Sequence, residues 1–563
     1  MNGPINLSTA LTQLPAELIV LILCKLDYIT LLMCTQASQV LTVCITFLIF
    51  FEQTCHKLRS VVQDNLVLLY EIALPGCGLR QGRRDHGEPG CTLAERLESL
   101  DRYEAAWREL RWTGQSILPE FEAHLAPEVV SGSTVACQNS EIEGPDGPMY
   151  IVHRLPSSLR GASGRIWSFF RDGFDFDFSA MDEGQDLAIL HGHNTVGPLV
   201  FRFLFLSLSS GDLHPLACAS GSIPLSDSRE PRNKISICGD RVLGIIRRDH
   251  DDEGWYLYVW NWKTGAVELQ IVGLFSSTEI SFPDSPQPAS FDFVLESCCF
   301  LDYDHIAIAI SNAPDASSLV VVDCGKGATA DVCRPSHHSF ILPDFIDEPI
   351  LAPNCSSFAP PTATDQGRFY NDHKDRLLTF FGRTRFRKGH GVQFVIDISV
   401  SKLLAYVASH PPSRLAVPWA NWGPPRCRIS QVQPPMQRTE FLVSGMRRLA
   451  LSSPKEDGTG PLSLTVTDYH AGRVARARRR QQHADDDASE SRVILGGEID
   501  GRFTGAGHRP CKTGLSCIVT EISVPVDLRD AETHGPAAVL CDDGVFVFQY
   551  TDSRIGHALS YSI

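Results

Sequence analysis

Apolar residues near the start of the chain recur at helical spacing, whereas those in the remainder come in short runs cut by turn residues. Leu14, Leu18, Ile22 and Leu26 repeat every four positions, with Leu21 and Leu23 beside them, which predicts a short amphipathic helix too apolar to stand alone. Pro15 suits the first helical position, where its missing N–H costs nothing, and Glu17 faces the positive end of the helix dipole. Asp27 and Thr30 offer oxygens for a turn and a new cap before Leu31. Leu58, Val61, Val62, Leu66, Leu69 and Tyr70 continue a helical pattern. Pro75 to Gly90, rich in Gly and charge, reads as a mobile linker. Thr92 and Glu95 then form a capping-box pattern, followed by Leu93, Leu97, Leu100, Tyr103, Trp107 and Leu110 on one face. That helix is expected to pack the N-terminal part onto the C-terminal region.

After Trp112 the texture is that of strands: LVFRFLFLSL, WYLYVWNWKTG, HIAIAI, SLVVVD, VQFVIDI, LSLTVTDY and GVFVFQY, separated by Gly, Pro, Asn and Asp. Val259 to Gly265 is similar to the end of a propeller-blade strand, with an aromatic anchor and a polar-Gly turn. Many short strands without long helices predict a large all-β region, most simply a β-propeller-like one. No strict repeat emerges, so a pair of β-sandwiches stays open.

The opening segment, LPAELIVLILCKLDYITLL from Leu14 to Leu32, resembles an F-box. Periodicity alone would fit an ordinary core helix; the Leu-Pro-x-Glu start near the N-terminus carries the resemblance. Tyr70 to Leu74, RLPSSLRG at 154–161, MDEGQDLAIL at 181–190 and LHPLA at 213–217 are similar to features of basidiomycete F-box proteins of this architecture. The resemblance implies an α+β chain in two parts: an all-α F-box-like module at 12–74, a linker and amphipathic helix at 75–112, and a β-propeller-like domain at 113–563 that binds a substrate protein. It implies a non-enzymatic subunit of a cullin-based (SCF-type) ubiquitin ligase. Leu14, Pro15, Glu17, Leu18, Ile22, Leu26, Leu31 and Leu58 would bind the Skp-type adaptor. The rivals are a β-domain scaffold without adaptor binding and a membrane-anchored β-domain.

The second rival arises because residues 28–51 carry no charge, a run long enough to cross a bilayer as a helix. Gln36, Ser38 and Gln39 near its middle speak against a span. If 40–53 is removed, the flanks join into a sequence that resembles the second and third helices of the family. The 14 residues begin with Val and end with Gln, as a translated, unspliced intron would. Residues 40–53 are therefore read as an insertion; if present in the protein they extend the second helix and expose Phe47, Ile49, Phe50 and Phe51.

Composition narrows the chemistry. The 563 residues exceed one compact core. Fifty basic against 66 acidic residues, a net charge of -16, argue against nucleic acid as the main partner. Eighteen Cys without a disulfide-like framework, and no secretory pattern at the start, predict a cytoplasmic or nuclear protein. The sequons at Asn6 and Asn354 then read as chance matches. Walker, His-Glu-x-x-His and Gly-x-Ser-x-Gly motifs are absent, so no catalytic residue and no cofactor is assigned. Cys77, His86 and Cys91, and Cys333, His337 and His338, lack complete metal-ligand spacing. Met181 to Asp186 does not match a calcium loop and is expected to be a solvated turn before the strand LAIL. Arg473, Arg476 and Arg478 to Arg480, followed by Asp485 to Asp487 and Glu490, read as an exposed loop, with a nuclear signal or an anion site as alternatives. A second basic loop, with Arg383, Arg385, Arg387 and Lys388, has the chemistry to recognise an acidic or phosphorylated substrate segment.

Overall fold

The computed structural model describes residues 14–26, 30, 48–81, 91–112, 114–117, 127–144, 147–157, 161–170, 174–194, 200–225, 235–247, 254–274, 278–280, 289–291, 294–311, 317–325, 337–343, 346–352, 354, 369–384, 393–412, 415–432, 443–452, 462–481, 491–495, 497–498, 512–524, 537–551 and 554–562; for 48–55 and parts of several strands it describes the backbone only. Leu31, most of 28–47, His86, Cys333, Asp485 to Glu490 and the basic loop from 385 to 390 lie outside these residues.

Seven antiparallel sheets follow one another along the chain. From the inner strand outward, blade 1 is Pro127–Ser131, Thr134–Gly144, Gly147–Arg154 and Arg165–Phe170. Blade 2 is Phe174–Asp182, Leu187–Asn194, Phe201–Ser207 and Ser222–Pro224. Blade 3 is Ser236–Cys238, Arg241–Arg247, Gly254–Asn261 and Val267–Leu274. Blade 4 is Val294–Phe300, His305–Ser311, Ser318–Asp323 and His337–Ile341. Blade 5 is Ile346–Ala352, Leu377–Thr384, Gln393–Ser399 and Cys427–Val432. Blade 6 is Val443–Ser444, Arg447–Ser452, Leu462–Asp468 and Cys517–Val524, with Ser491–Ile494 as a fifth strand. Blade 7 is Ala537–Cys541, Gly544–Thr551 and Arg554–Ser562, and its outermost strand is Gly114–Ile117 from the other end of the chain. Each blade's inner strand lies against the neighbouring blade around a closed circuit. The β region is a seven-bladed propeller, and the two-sandwich alternative falls.

All seven sequence-predicted strand segments are strands. Their apolar runs are continuous rather than alternating because both faces are covered: Phe203 to Phe205 in blade 2 and Ile306 to Ile310 in blade 4 are buried without a break. Separate apolar clusters fill the gaps between successive blades, such as Ala180, Ile189 and Phe205 with Ile237 and Trp260 between blades 2 and 3. The Val259–Gly265 segment builds the expected blade corner. Asn261 Oδ1 accepts from the backbone N–H of Lys263 and Thr264 at 3.1 Å each, Gly265 takes a φ of +78°, and the fully buried Trp262 donates its Nε1 to Gly239 O at 3.0 Å.

The N-terminal part is helical. Helix α1 (Ala16–Leu23) starts one residue later than expected, with Pro15 as its N-cap rather than its first helical residue. Helix α2 (Leu48–Gln63) begins inside the 40–53 segment. Helix α3 (Leu66–Gly76) is capped by Asn65, whose Oδ1 accepts from Val67 N and Leu68 N at 3.0 and 3.2 Å. Helix α4 (Leu93–Glu109) carries the predicted capping box: Thr92 N donates to Glu95 Oε2 at 2.6 Å, and Glu95 N donates to Thr92 Oγ1 at 3.2 Å.

Several expectations need correction. The first residues of the 75–90 linker are built into the fold: Pro75 lies within α3, and Leu79–Gln81 pairs antiparallel with Phe369–Asn371. Residues 82–90 lie outside the described residues. The β region contains helices, α5 (Val400–Ser409) and α6 (Ala471–Gln481), both inserted between the third and fourth strands of their blades. The arginine run at 473–480 is therefore helix α6, not a loop. Asp182 to Asp186 is a turn, but a buried one at its start, where Asp182 is 2% exposed and accepts from Gly184 N and Gln185 Nε2. Asn354 has a structural use: its amide donates to Leu377 O and Gly445 O and accepts from Gly445 N, tying blade 5 to blade 6.

A buried polar network holds the same two blades. Asp397, fully buried in blade 5, accepts from Arg448 Nε of blade 6 at 2.9 Å, from Thr379 Oγ1 at 2.9 Å and from the Tyr469 hydroxyl. Removing one side of such a pair strands a buried charge. Asp397→Ala is expected to lower stability by about 3–5 kcal/mol, measured by urea unfolding. A second prediction concerns pH. His153 and His191 are buried, and burial pulls each pKa down to about 4. The unfolded chain, titrating near its ordinary value, takes up protons first, so stability is full above about pH 6.5 and falls as pH drops toward 4. His191→Phe, placed between Phe201 and Phe203, should shrink the loss in unfolding midpoint between about pH 7.5 and pH 5.

Candidate functional site

The sequence-predicted docking residues divide into two groups. On α1, Ile19 and Leu23 turn inward and pack with Val62 and Leu68 of α2 and α3, with Leu14, Leu26 and Leu58 half-buried beside them. Leu18 and Ile22 turn outward, 45% and 47% exposed, and Leu21 next to them is 63% exposed. Pro15 and Glu17 are also exposed. A spacing of four advances 400° around a helix with 100° per residue, so Leu14, Leu18, Ile22 and Leu26 drift across the surface instead of forming one seam. The inward seam is Ile19, Leu23 and Leu26; the outward face is Leu18, Leu21 and Ile22. Lys57 Nζ donates to Leu14 O at 3.0 Å and fixes the start of α1 on α2. Leu66 and Val67 at the start of α3 are exposed as well. Leu31 lies outside the described residues.

A second site, at the seam between helices and propeller, was only partly visible in the sequence. Tyr70, Leu74, Leu100, Tyr103 and Trp107 of α3 and α4 enter the gap between blades 6 and 7, against Leu464, Leu540 and Tyr561. The Tyr103 hydroxyl donates to Asp542 O at 2.7 Å, and its ring meets Phe369 edge-on with centroids 5.2 Å apart. Polar groups line the edge of this packing. Glu104 of α4 receives Arg473 Nη1 at 3.2 Å and Arg476 Nη2 at 3.4 Å from α6. Asp468 receives Arg447 Nε at 3.2 Å and lies 2.7 Å from Arg473 Nε, a close charge contact off the hydrogen-bond angle. Burial raises the Asp468 carboxyl, but Arg473 and Arg447 outweigh it and hold it below its usual value. Gly472 makes the approach possible, since a Cβ there would lie 2.4 Å from Gly76 O.

Cys77, a candidate metal ligand by residue type, sits in this seam. Its thiol is buried and receives Arg476 Nη2 at 2.9 Å, and burial pushes its pKa up to about 12, so it is a neutral packing group. Among the described residues no group of three or more His, Cys, Asp or Glu is placed to hold a metal ion, and no helix is long and apolar enough to cross a membrane. The seam acids Glu104 and Asp468 carried no sequence signal: one reads as the polar side of an amphipathic helix, the other as the end of a strand.

No protein-family model matches the chain, and no curated protein matches it. Similar solved structures include a cobalt-substituted ACO from Synechocystis, at 10% identity and TM-score 0.26 over 57% of this chain and 66% of that one. A puromycin hydrolase mutant complexed with PGG matches at 10% identity and TM-score 0.24, over 61% of this chain and 58% of that one. The β-propeller domain of the Trilobed protease from Pyrococcus furiosus matches at 8% identity and TM-score 0.20, over 48% of this chain and 95% of that one. The chain thus spans less than two thirds of the length of the first two. Likenesses this low carry no chemistry across, and the propeller assignment rests on the order and pairing of the strands.

Because Glu104 is shared by several arginines, Glu104→Gln should destabilise the seam by about 3 kcal/mol. Hydrogen exchange is expected to show lost protection in α3 and α4, with blade 3 unchanged.

Proposed function

We propose that this chain is a non-catalytic substrate-recognition subunit of an SCF-type ubiquitin ligase. Its exposed α1 face engages a Skp-type adaptor, and its propeller holds a substrate protein. The observation that carries this reading is the contiguous outward patch of Leu18, Leu21 and Ile22 beside Pro15 and Glu17, in the segment with the F-box-like opening. Three large apolar side chains on one helical face, with inward seam residues already satisfied, have the character of a partner surface. The function requires only proximity: a ring anchored to the helices brings substrate lysines near a charged ubiquitin carrier and raises their effective concentration. Catalysis then resides in other subunits, and the setting is cytoplasmic or nuclear.

The scaffold reading, without adaptor binding, is favoured by one observation, that α2 runs through the end of the 40–53 segment. The two readings separate by co-purification. Full-length protein is expected to recover the adaptor, and the double variant Leu18→Asp, Ile22→Asp should lose it by tenfold or more, since two anchors leave the interface. Both positions are exposed, so the unfolding midpoint of the variant should match that of the unaltered protein. A variant that retains the adaptor overturns the proposal; absence of the adaptor from both proteins supports the scaffold.

A further inference from the structure

The seam between helices and propeller encloses a cleft of about 330 Å³ between α4, α6 and blade 6. Five arginines line it: Arg108, Arg447, Arg473, Arg476 and Arg480. Three carboxylates line it with them, from Asp101, Glu104 and Asp468. Glu104 and Asp468 are shared among Arg447, Arg473 and Arg476, so two acids serve three cations. Arg108 pairs with Glu109 at 2.7 Å, outside the cleft. Arg480 stands at the rim on the last turn of α6, exposed, and of the cleft acids Asp101 acts on it most strongly. In a chain of net charge -16 this is a local excess of positive charge, held by buried packing rather than spread over a solvated surface.

Two donors at the floor point to what the excess is for. Arg447 is 3% exposed, and its Nη2 has no hydrogen-bond partner among the described residues; Glu104 Oε1 lies 3.8 Å from it, too far for a hydrogen bond. Trp107 Nε1 is likewise buried without a partner among the described residues. The Arg447 guanidinium lies over the Trp107 ring, 4.4 Å from its centroid, so both donors belong to one spot. An unsatisfied donor in a folded interior bears its desolvation cost uncompensated, which an acceptor entering the cleft would offset. Arg480 adds the same pressure: burial and the nearby Arg108 and Arg476 lower its pKa despite Asp101 and Glu104.

A ligand that satisfies these groups must carry negative charge and present acceptors in several directions at once. A tetrahedral phosphate does both, because guanidinium forks bind it through paired N–H donors, whereas a single planar carboxylate reaches fewer of them. The volume exceeds that of one phosphate group and excludes a nucleic-acid strand. We infer that the cleft between α4, α6 and blade 6 is a binding site for a small phosphate-bearing anion, a diphosphate or a compact phosphate monoester. Its floor is Arg447 and Trp107, and its rim is Arg476 and Arg480. Occupation joins α4 to α6 through the ligand and so fastens the helices to the ring. The site is independent of the adaptor reading, since it lies on the other helices.

Full-length protein titrated with pyrophosphate at low ionic strength tests the inference, with calorimetry and thermal unfolding as readouts. One saturable site is expected, with an unfolding temperature that rises with the logarithm of pyrophosphate and does not respond to chloride at matched ionic strength. Arg480→Gln, at the exposed rim, should weaken affinity roughly tenfold, the effect of one charge-assisted hydrogen bond. Arg447→Met should abolish binding; if that variant does not fold, Arg480→Gln alone decides. Inorganic phosphate binding as tightly as pyrophosphate would support the monoester form, and a preference for pyrophosphate the diphosphate form. No saturable binding at millimolar pyrophosphate, or equal affinity in the Arg480→Gln protein, overturns the inference.

Discussion

The structure depends on one pairing: Gly114–Ile117 runs antiparallel to the final strand Arg554–Ser562, with Gly114 opposite Ser562 and Ile117 opposite Leu559. Without it, blade 7 has three strands, and the two ends of the ring are joined only through the packing of blade 1 on blade 7, as of Val130 and Val135 against Val539 and Phe546. Unpaired, the long final strand would present an open edge, and the four-residue Gly114–Ile117 covers its end, leaving a short edge in its place. The same pairing places the helices. Helix α4 ends at Glu109, a few residues before the closing strand, so it has no freedom to stand away from the ring. Trp107, Trp112 and Tyr561 record this in a row of aromatic contacts, with centroids 6.2 and 5.6 Å apart. The gap between blades 6 and 7 is thus filled by α3 and α4 as well as by strands. Helices and propeller share a core, and the Arg–Glu seam forms at its edge.

Local physics decides which features are legible in the sequence. The Thr92–Glu95 capping box, the strand runs and the Val259–Gly265 corner are readable because each is satisfied by residues close along the chain. The blade count is not, because insertions such as α5 and α6 break the spacing that a repeat search needs. Arg473 and Arg476 are readable as a basic run but not as a buried cluster. Their partner Glu104 lies more than 350 residues away, and only the closed ring brings them together. The stripe at Leu14, Leu18, Ile22 and Leu26 is apolar as its spacing suggests, yet it is not a single face. The structure divides it into an inward seam and an outward patch.

That division gives the functional account its form. A core helix would bury all of its large apolar residues, but α1 keeps three of them outside while its inner seam is complete. The ring behind it is rigid: polar networks such as Asp397 with Arg448 and Tyr469 pin blade to blade, and the helices share its core. A firm platform with one open apolar face suits a protein that acts by holding two others at a set distance.

The central claim is that the outward face of α1 is where the adaptor sits. A photo-crosslinking amino acid placed at Leu21 in the full-length protein, and separately at Leu415, an exposed apolar position in the propeller, tests it in the presence of a Skp-type adaptor. The account predicts an adaptor crosslink from position 21 and none from position 415. No adaptor crosslink from position 21, or equal crosslinking from both, would contradict it.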